Sequence, residues 1–418
     1  MIVIVRRVVV VLLVVVLLMV AQRQLRGPIR TWYANTFYTR IAVDLATNQP
    51  DHILLSWNGD PATTQAVNWR TATTVNGGWL EAYPAEGSAE QATRVDATFV
   101  VLEDRLLEND PVVHRFTASL EGLAPGTEYQ YRVGTDQGTM SDWLQFTTAP
   151  ATVEPFSFIY MGDVQNGIGE WGDLLQASWE RHPETAFYLI AGDLVNEGRW
   201  RNEWDEFFGE AKGVFDRVPL MPCLGNHDVD PAGNAVAYLA AFALPENGPE
   251  TLEPQRSYHF EYGGVLFVVL DSMSPIRQQN EWLEEVLAGS DATWKLVMFH
   301  HPVYSASDRR DNPQIRREWA PILERHGVEI AFQGHDHGYL RTHPVKDGAM
   351  VDEGGTIYLI TVAGTKYYRT QHSYDFTAKA FVETSTYQVI DIETNPDRLR
   401  YRAFDLDGTL LDEFTIEK

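Results

Sequence analysis

An all-β module followed by an α/β domain is the fold class that this sequence predicts. Three observations predict it: the length, short strands with turn signals up to about residue 149, and apolar strands alternating with helical stretches beyond it. At 418 residues the chain exceeds what one hydrophobic core usually supports, which points to two domains. Its hydrophobic fraction is 44% and its charged fraction 22%, values of folded domains rather than of disordered chain.

A short apolar segment comes first. Val8–Ala21 are almost wholly Val, Leu and Met and follow Arg6 and Arg7, the layout of a signal peptide or a signal anchor. The run is short for a membrane span, Met19-Val20-Ala21 is a poor cleavage site, and Arg23, Arg26 and Arg30 follow, so both alternatives stay open. Either one sets residues 1–27 apart from the folded domains. Either one also predicts export to the periplasm or extracellular space, with the chain released or anchored and the membrane contacted through this segment.

The β module is expected over residues 28–150. Ile53–Trp57, the turn Asn58-Gly59-Asp60-Pro61 and Ala66–Arg70 read as strand, turn and strand. Further on, Tyr129, Tyr131 and Val133 alternate with polar residues, and a tyrosine near a strand start suggests a tyrosine corner. The stretch Leu123-Ala124-Pro125-Gly126-Thr127-Glu128-Tyr129-Gln130-Tyr131 resembles a fibronectin type III module. From about residue 151 to 418 the pattern is α/β. Strands are expected at 156–161, 186–191, 265–270, 294–299, 330–333 and 356–362, and helices at 172–181, 203–212 and 279–288.

A formal net charge of −25 repels polyanions and argues against a nucleic-acid partner. It leaves room for a small phosphorylated substrate, because bound metal ions supply positive charge locally. The single cysteine, Cys223, excludes an intramolecular disulfide, and its apolar setting reads as a buried thiol.

The chemistry-bearing residues follow the predicted strands, where open α/β sheets expose loops to a shared crevice. Five loops carry Gly162-Asp163-Val164-Gln165, Gly192-Asp193-Leu194-Val195-Asn196, Gly225-Asn226-His227-Asp228, Phe299-His300-His301-Pro302 and Gly334-His335-Asp336-His337. Carboxylates and neutral imidazoles suit zinc, manganese and iron, and a carboxylate between two ions can bridge them. The ordered set Asp163, Asp193, Asn226-His227, His300 and His335-Asp336-His337 resembles the calcineurin-like metallophosphoesterase superfamily. With the preceding β module, the arrangement is similar to purple acid phosphatases.

That resemblance implies two β-sheets flanked by helices and a centre of two divalent or trivalent metal ions, with Fe, Mn and Zn left open. It implies Asp193 bridging both ions, Asp163 and His337 on the first, and Asn226, His300 and His335 on the second. His227 would meet the leaving oxygen; from sequence adjacency rather than from the resemblance, Asp228 is expected to hydrogen-bond and orient its imidazole. The implied reaction is hydrolysis of a phosphate monoester or diester by a metal-activated hydroxide, without a covalent phosphoenzyme. Two positions depart from the pattern. Most of the superfamily has histidine where this chain has Gln165, and purple acid phosphatases have tyrosine where it has Asn196. Gln165 is either a metal ligand through its amide oxygen or a group that orients bound water. His301 is either substrate-facing or structural. Tyr304, Asp308, Arg309 and Arg310 form either a phosphate-contacting loop or a solvated charged one.

The segment Asp405-Leu406-Asp407-Gly408-Thr409-Leu410-Leu411-Asp412 imitates a phosphatase nucleophile motif, but only Glu413–Lys418 follow it, too little for the loops that chemistry needs. It reads instead as the turn of a hairpin. The alternative to hydrolysis is a phosphate- or glycan-associated binding protein in which the β module does the work and the metal site is vestigial. The oligomeric state is not legible in the sequence.

Overall fold

The structure of the protein, a computed structural model, describes residues 39–307, 310–369, 374–394 and 397–418. The apolar segment Val8–Ala21 and its flanking arginines lie outside the described residues, as do Asp308 and Arg309.

Seven strands make the N-terminal sandwich: β1 (Asp51–Ser56), β2 (Gln65–Ala72), β3 (Gly78–Pro84), β4 (Thr93–Glu103), β5 (Val112–Leu120), β6 (Glu128–Thr135) and β7 (Leu144–Thr147). Their order is β1-β2-β5-β4-β3-β6-β7. β4 turns the corner between the two layers, pairing with β3 over Thr93–Ala97 and with β5 over Thr98–Glu103. Inward-facing Trp69, Leu80, Phe116, Tyr131 and Val133 fill the space between the layers. The Tyr129 hydroxyl accepts the Ala124 backbone N–H at 2.9 Å, closing the tyrosine corner five residues upstream.

The second domain has two mixed sheets. The first has the order β10-β9-β8-β20-β21-β22 and the second β11-β12-β13-β14-β18-β15-β19. The ranges are β8 (Phe156–Met161), β9 (Thr185–Ile190), β10 (Leu220–Pro222), β11 (Tyr258–Tyr262), β12 (Val265–Val269), β13 (Trp294–Met298), β14 (Ile330–Gln333) and β15 (Tyr339–Thr342), then the small hairpin of β16 (Val345–Lys346) and β17 (Ala349–Met350), then β18 (Ile357–Ile360), β19 (Thr377–Phe381), β20 (Tyr387–Thr394), β21 (Asp397–Phe404) and β22 (Leu410–Glu417). β8, β9 and β10 run parallel, as do β12, β13, β14 and β18. Strands covered on both faces need continuous apolar sequence, and Val265-Leu266-Phe267-Val268-Val269 is buried throughout.

Period-2 alternation splits that run between two cores. Val265, Phe267 and Val269 face the first sheet, while Leu266 and Val268 meet Leu283, Leu287, Ile322 and Leu323 of the outer helices. Between the sheets, Phe158 meets Phe267 edge-on at 5.3 Å and Phe187 meets Phe267 at 5.2 Å. Truncating one such ring to alanine costs about 3–5 kcal/mol. The other face of the first sheet is covered by helices Ile168–Arg181 and Arg201–Glu210, joined by a Trp171–Phe207 stack at 4.8 Å.

The sandwich docks through Trp57, which touches Phe187 at 5.4 Å, and through Arg70, buried between Asp51 at 2.7 Å and Asp205 at 2.8 Å. At the far end, Asp405 accepts the Thr409 and Gly408 N–H groups at 2.8 and 3.1 Å, and Gly408 has φ of 82°. The Asp-rich motif is therefore the turn between β21 and β22. Cys223 is buried and free. Among the described residues, no helix is long and apolar enough to cross a membrane.

Candidate metal centre

All five motif loops leave the C-terminal ends of parallel strands: β8, β9 and β10 in one sheet, β13 and β14 in the other. They converge where the two sheets meet. Asp163, Asp193, His335 and His337 have φ of 52°, 54°, 74° and 45°. Non-glycine residues rarely hold this left-handed conformation, and it tends to concentrate at functional sites. Glycines let the loops close in. A Cβ on Gly225 would lie 2.2 Å from the Asp193 nitrogen, and one on Gly334 would lie 2.4 Å from Asp163 Oδ2.

Donor atoms gather in two groups that share one residue. Asp163, Asp193 and His337 form one, Asp193, His300 and His335 the other, each with its candidate ligand atoms within 4.8 Å of one another. The imidazoles are held from behind. His300 Nδ1 lies 2.7 Å from the Ala191 carbonyl oxygen and His337 Nδ1 lies 3.0 Å from that of Lys366. With Nδ1 donating, the Nε2 lone pairs point inward, the tautomer a metal ligand needs. His300 Nε2 sits 3.2 Å from Asp193 Oδ2, 3.2 Å from Asn226 Oδ1 and 3.3 Å from His335 Nδ1. Gln165 Nε2 donates to Asp193 Oδ2 at 3.0 Å and lies 3.3 Å from His337 Nε2.

Two buried acceptors, Asp163 Oδ1 and Gln165 Oε1, have no hydrogen-bond partner among the described residues. Orphaned buried oxygens are costly, and here they sit among imidazoles and carboxylates. The donor set thus fits metal ions. Burial pushes the Asp163 carboxyl well above the usual range. Burial would raise Asp193 as well, but the charge of His300 holds it below that range. Burial lowers His300, and the Asp193 charge outweighs it, carrying the imidazole up to about 9. Positive charge is what these carboxylates need.

The remaining motif residues divide by geometry. His227, half-buried, donates its backbone N–H to Asp193 Oδ1 at 2.8 Å, and its Nδ1 lies 2.7 Å from the Asn196 carbonyl oxygen. The expected hydrogen bond from this imidazole to Asp228 is not the one formed. Asp228 accepts the backbone N–H groups of Asp193 and Gly225 on Oδ2, both at 2.8 Å, and those of Leu194 and Val195 on Oδ1, at 2.8 and 3.2 Å. Its carboxylate therefore clamps the loops after β9 and β10 together. His301 Nδ1 lies 2.9 Å from Ser272 Oγ, and its ring packs 4.2 Å from that of His335.

Arg310 is not a solvated loop residue. It donates to Asp336 Oδ1 at 3.0 Å and to the His335 carbonyl oxygen at 2.9 Å, with Nη2 also 2.6 Å from His335 Nε2. Asp336, to which the sequence assigned no role of its own, accepts Ser305 Oγ and the Ala306 N–H at 2.6 Å each. Glu203 is a further supporting residue, accepting the N–H groups of Asn196 and Glu197 at 2.8 Å each. Burial pushes it up to about 7. A glutamate within a helical stretch carries no sequence signal of this job.

Comparison with known proteins adds to this geometry. Residues 156–339 match the calcineurin-like phosphoesterase family and residues 50–148 the purple acid phosphatase N-terminal domain. An uncharacterized protein of Mycobacterium tuberculosis is 26% identical over 342 residues, covering 71% of this chain and 63% of that protein. Purple acid phosphatase 23 of Arabidopsis thaliana is 26% identical over 282 residues, covering 57% of this chain and 60% of that one. Probable inactive purple acid phosphatase 24 of the same plant is 26% identical over 290 residues, covering 60% and 47%. The chain spans less than two thirds of the length of each of these relatives. Among solved structures, the purple acid phosphatase PPD1 from yellow lupin seeds superposes with a TM-score of 0.76 at 19% identity, covering 88% of this chain and 74% of that one. PhoD does so with 0.65 at 13% identity, covering 90% and 92%. These two likenesses show a shared fold.

Proposed function

This chain carries a calcineurin-like phosphoesterase domain behind a purple acid phosphatase N-terminal domain, and from that premise we propose that it hydrolyses phosphate esters at a centre of two metal ions. The observation that carries the proposal is the sharing of Asp193 between two donor groups. Asp163, His337 and the Gln165 amide oxygen would hold the first ion, Asn226, His300 and His335 the second, and Asp193 both. Such ions supply Lewis acidity and an activated water at neutral pH.

The chain's own residues do the rest. His227 Nδ1 lies against the Asn196 carbonyl, so in the protonated ring it is Nε2–H that would donate to the oxygen that departs. Its backbone N–H on Asp193 ties that imidazole to the shared carboxylate. Arg310, fastened to Asp336 and His335, fixes the loop on the second ion's side. The retained donor set disfavours the vestigial-site alternative. Export rests on Val8–Ala21 and is tested by one-sided membrane reporters fused after Lys418.

Elemental analysis of purified protein, paired with a panel of phosphate monoesters and diesters, tests the central reading. Close to two transition-metal ions per chain and turnover on the panel are expected. Asp193→Asn should lose at least one ion and nearly all activity. Full metal loading without turnover on activated esters would overturn hydrolysis in favour of binding.

A further inference from the structure

A sixth loop, to which the sequence assigns no role, packs against the candidate centre. It follows β18 and rests on the Asp163 loop, with the Ala363 N–H on the Gly162 carbonyl at 2.7 Å and the Gly364 N–H on that of Asp163 at 2.9 Å. Gly364 permits the approach, since a Cβ there would lie 2.6 Å from the Asn166 carbonyl oxygen. Further along, the Lys366 carbonyl meets His337 Nδ1 and the Tyr368 N–H donates to the His337 carbonyl at 2.9 Å. The Tyr368 ring then packs 4.8 Å from that of His337.

Arg310 lies on the same tyrosine. Its Cζ is 4.9 Å from the Tyr368 ring centre, and its Nη2 is 2.6 Å from Nε2 of His335, whose Nδ1 is turned to His300 Nε2 at 3.3 Å. The guanidinium therefore stands between His335 of one donor group and a tyrosine seated on His337 of the other. A single imidazole separates it from the atoms that would hold the second ion. Asp336 balances its charge, accepting Nε at 3.0 Å, so what remains is hydrogen-bonding capacity. Of the five N–H groups of a guanidinium, that of Nε is spent on Asp336 and those of Nη2 face His335. Nη1 makes no hydrogen bond among the described residues and is open to solvent, in a side chain that is 29% exposed. Because the group is planar and two of its nitrogens are held, the direction of Nη1 is held as well.

We infer that Arg310 is a substrate-binding residue, its Nη1 donating to a phosphoryl oxygen of an ester at the centre while Tyr368 keeps the guanidinium in place. Hydrogen bonds from guanidinium to phosphoryl oxygens are charge-assisted and directional. In a chain of net charge −25, a cation at this position also supplies local attraction for a phosphate dianion. The inference rests on the hydrolase reading above, and its test separates the two. Inorganic phosphate and fluoride are titrated into the metal-loaded full chain by calorimetry, with turnover of nitrophenyl phosphate measured alongside. Both anions bind metal ions, but fluoride is a single atom and presents no second oxygen to Nη1. Arg310→Met should weaken phosphate by about 10-fold or more, the worth of one charge-assisted hydrogen bond, and leave fluoride unchanged. Arg310→Lys, which keeps a charge beside Asp336 but has no Nη1, should give a smaller loss, and it carries the test alone if the methionine variant does not fold. Elemental analysis should find the parent's metal content in each variant.

Phosphate binding that is absent from the parent chain, or that survives Arg310→Met undiminished, would overturn the contact. So would an equal weakening of phosphate and fluoride, which would trace the loss to displaced ions or a displaced loop. Turnover with phosphate affinity indifferent to Arg310 removes the contact and keeps the hydrolase reading. Phosphate affinity that depends on Arg310 without turnover keeps the contact and removes the hydrolase reading.

Discussion

The His227 imidazole takes its orientation from Asn196, whose carbonyl oxygen lies 2.7 Å from Nδ1, and not from the aspartate that follows it in sequence. A backbone acceptor fixes the ring while leaving Nε2 uncommitted, the arrangement required of a group that meets charge on a departing oxygen.

His227→Ala should therefore keep both metal ions and lower kcat by about 10²–10⁴. The loss should be small for nitrophenyl phosphate, whose leaving group needs little protonation, and larger for alkyl phosphates. Metal content with kcat on both substrates checks it. A variant that lost an ion, or an equal penalty on both leaving groups, would exclude the role.

Asp228 gives the opposite pattern. It accepts four backbone N–H groups that hold the β9 and β10 loops together, so Asp228→Ala leaves buried donors unpaired. The expected cost is on the order of 3–5 kcal/mol, read as a lower thermal midpoint with and without metal. No dependence on leaving group should remain after correction for the folded fraction. A midpoint unchanged from that of the parent chain would exclude the clamp.

Glu203 makes stability depend on pH. Burial raises its folded value from 4.5 to about 7, so the folded state holds this proton longer than the unfolded one. The contribution is fully present below about 4.5 and is lost as pH rises through about 7, on the order of 3 kcal/mol in all. Glu203→Gln removes the ionisation. Denaturation of the chelated proteins should show the variant gaining on its parent between those two pH values and holding that gain above them. A constant difference across the range would contradict it.

The motif loops and the strands before them were legible because each carries local signals: an apolar run, a glycine for close approach, then a chemically specific side chain. The strand expected at 156–161 coincides with β8 to the residue, and the Asp407-Gly408 hairpin turn follows from turn chemistry alone. β10, three residues ending in Pro222, is too short to show a period, and its apolar setting suggested only a buried thiol. Helix Ile168–Arg181 begins four residues before its expected start because its N-cap, Gly167 in a left-handed conformation, makes no side-chain capping bond. Adjacency in sequence places Asp228 beside the His227 imidazole but says nothing about the direction of its carboxylate. Its neighbour His227 points to one loop, while Asp228 itself points to the backbone of another. Partners such as the carbonyls of Asn196, Ala191 and Lys366 belong to the chain path, so no residue type announces them.

Gln165 stands where histidine is usual in the superfamily that the motifs resemble, and its amide lies between the two residues that matter most to the first ion. Nε2 reaches Asp193 Oδ2 and His337 Nε2, while Oε1 is buried without a partner. A neutral amide oxygen is a weaker donor than imidazole toward zinc, manganese or iron, so this position should hold its ion less tightly than the Asn226, His300 and His335 side. Chelator competition should then release the ions in two stages. Gln165→Leu should lose the weaker stage and keep the stronger one. Gln165→His should tighten the weaker stage by about 10-fold or more, the scale on which groups around a metal tune its affinity. If Gln165 only hydrogen-bonds its neighbours, Gln165→Leu would keep both ions and Gln165→His would leave the weaker stage where it was. The two substitutions move the same stage in opposite directions only if the side chain at 165 is itself a ligand, which a general loss of packing cannot imitate.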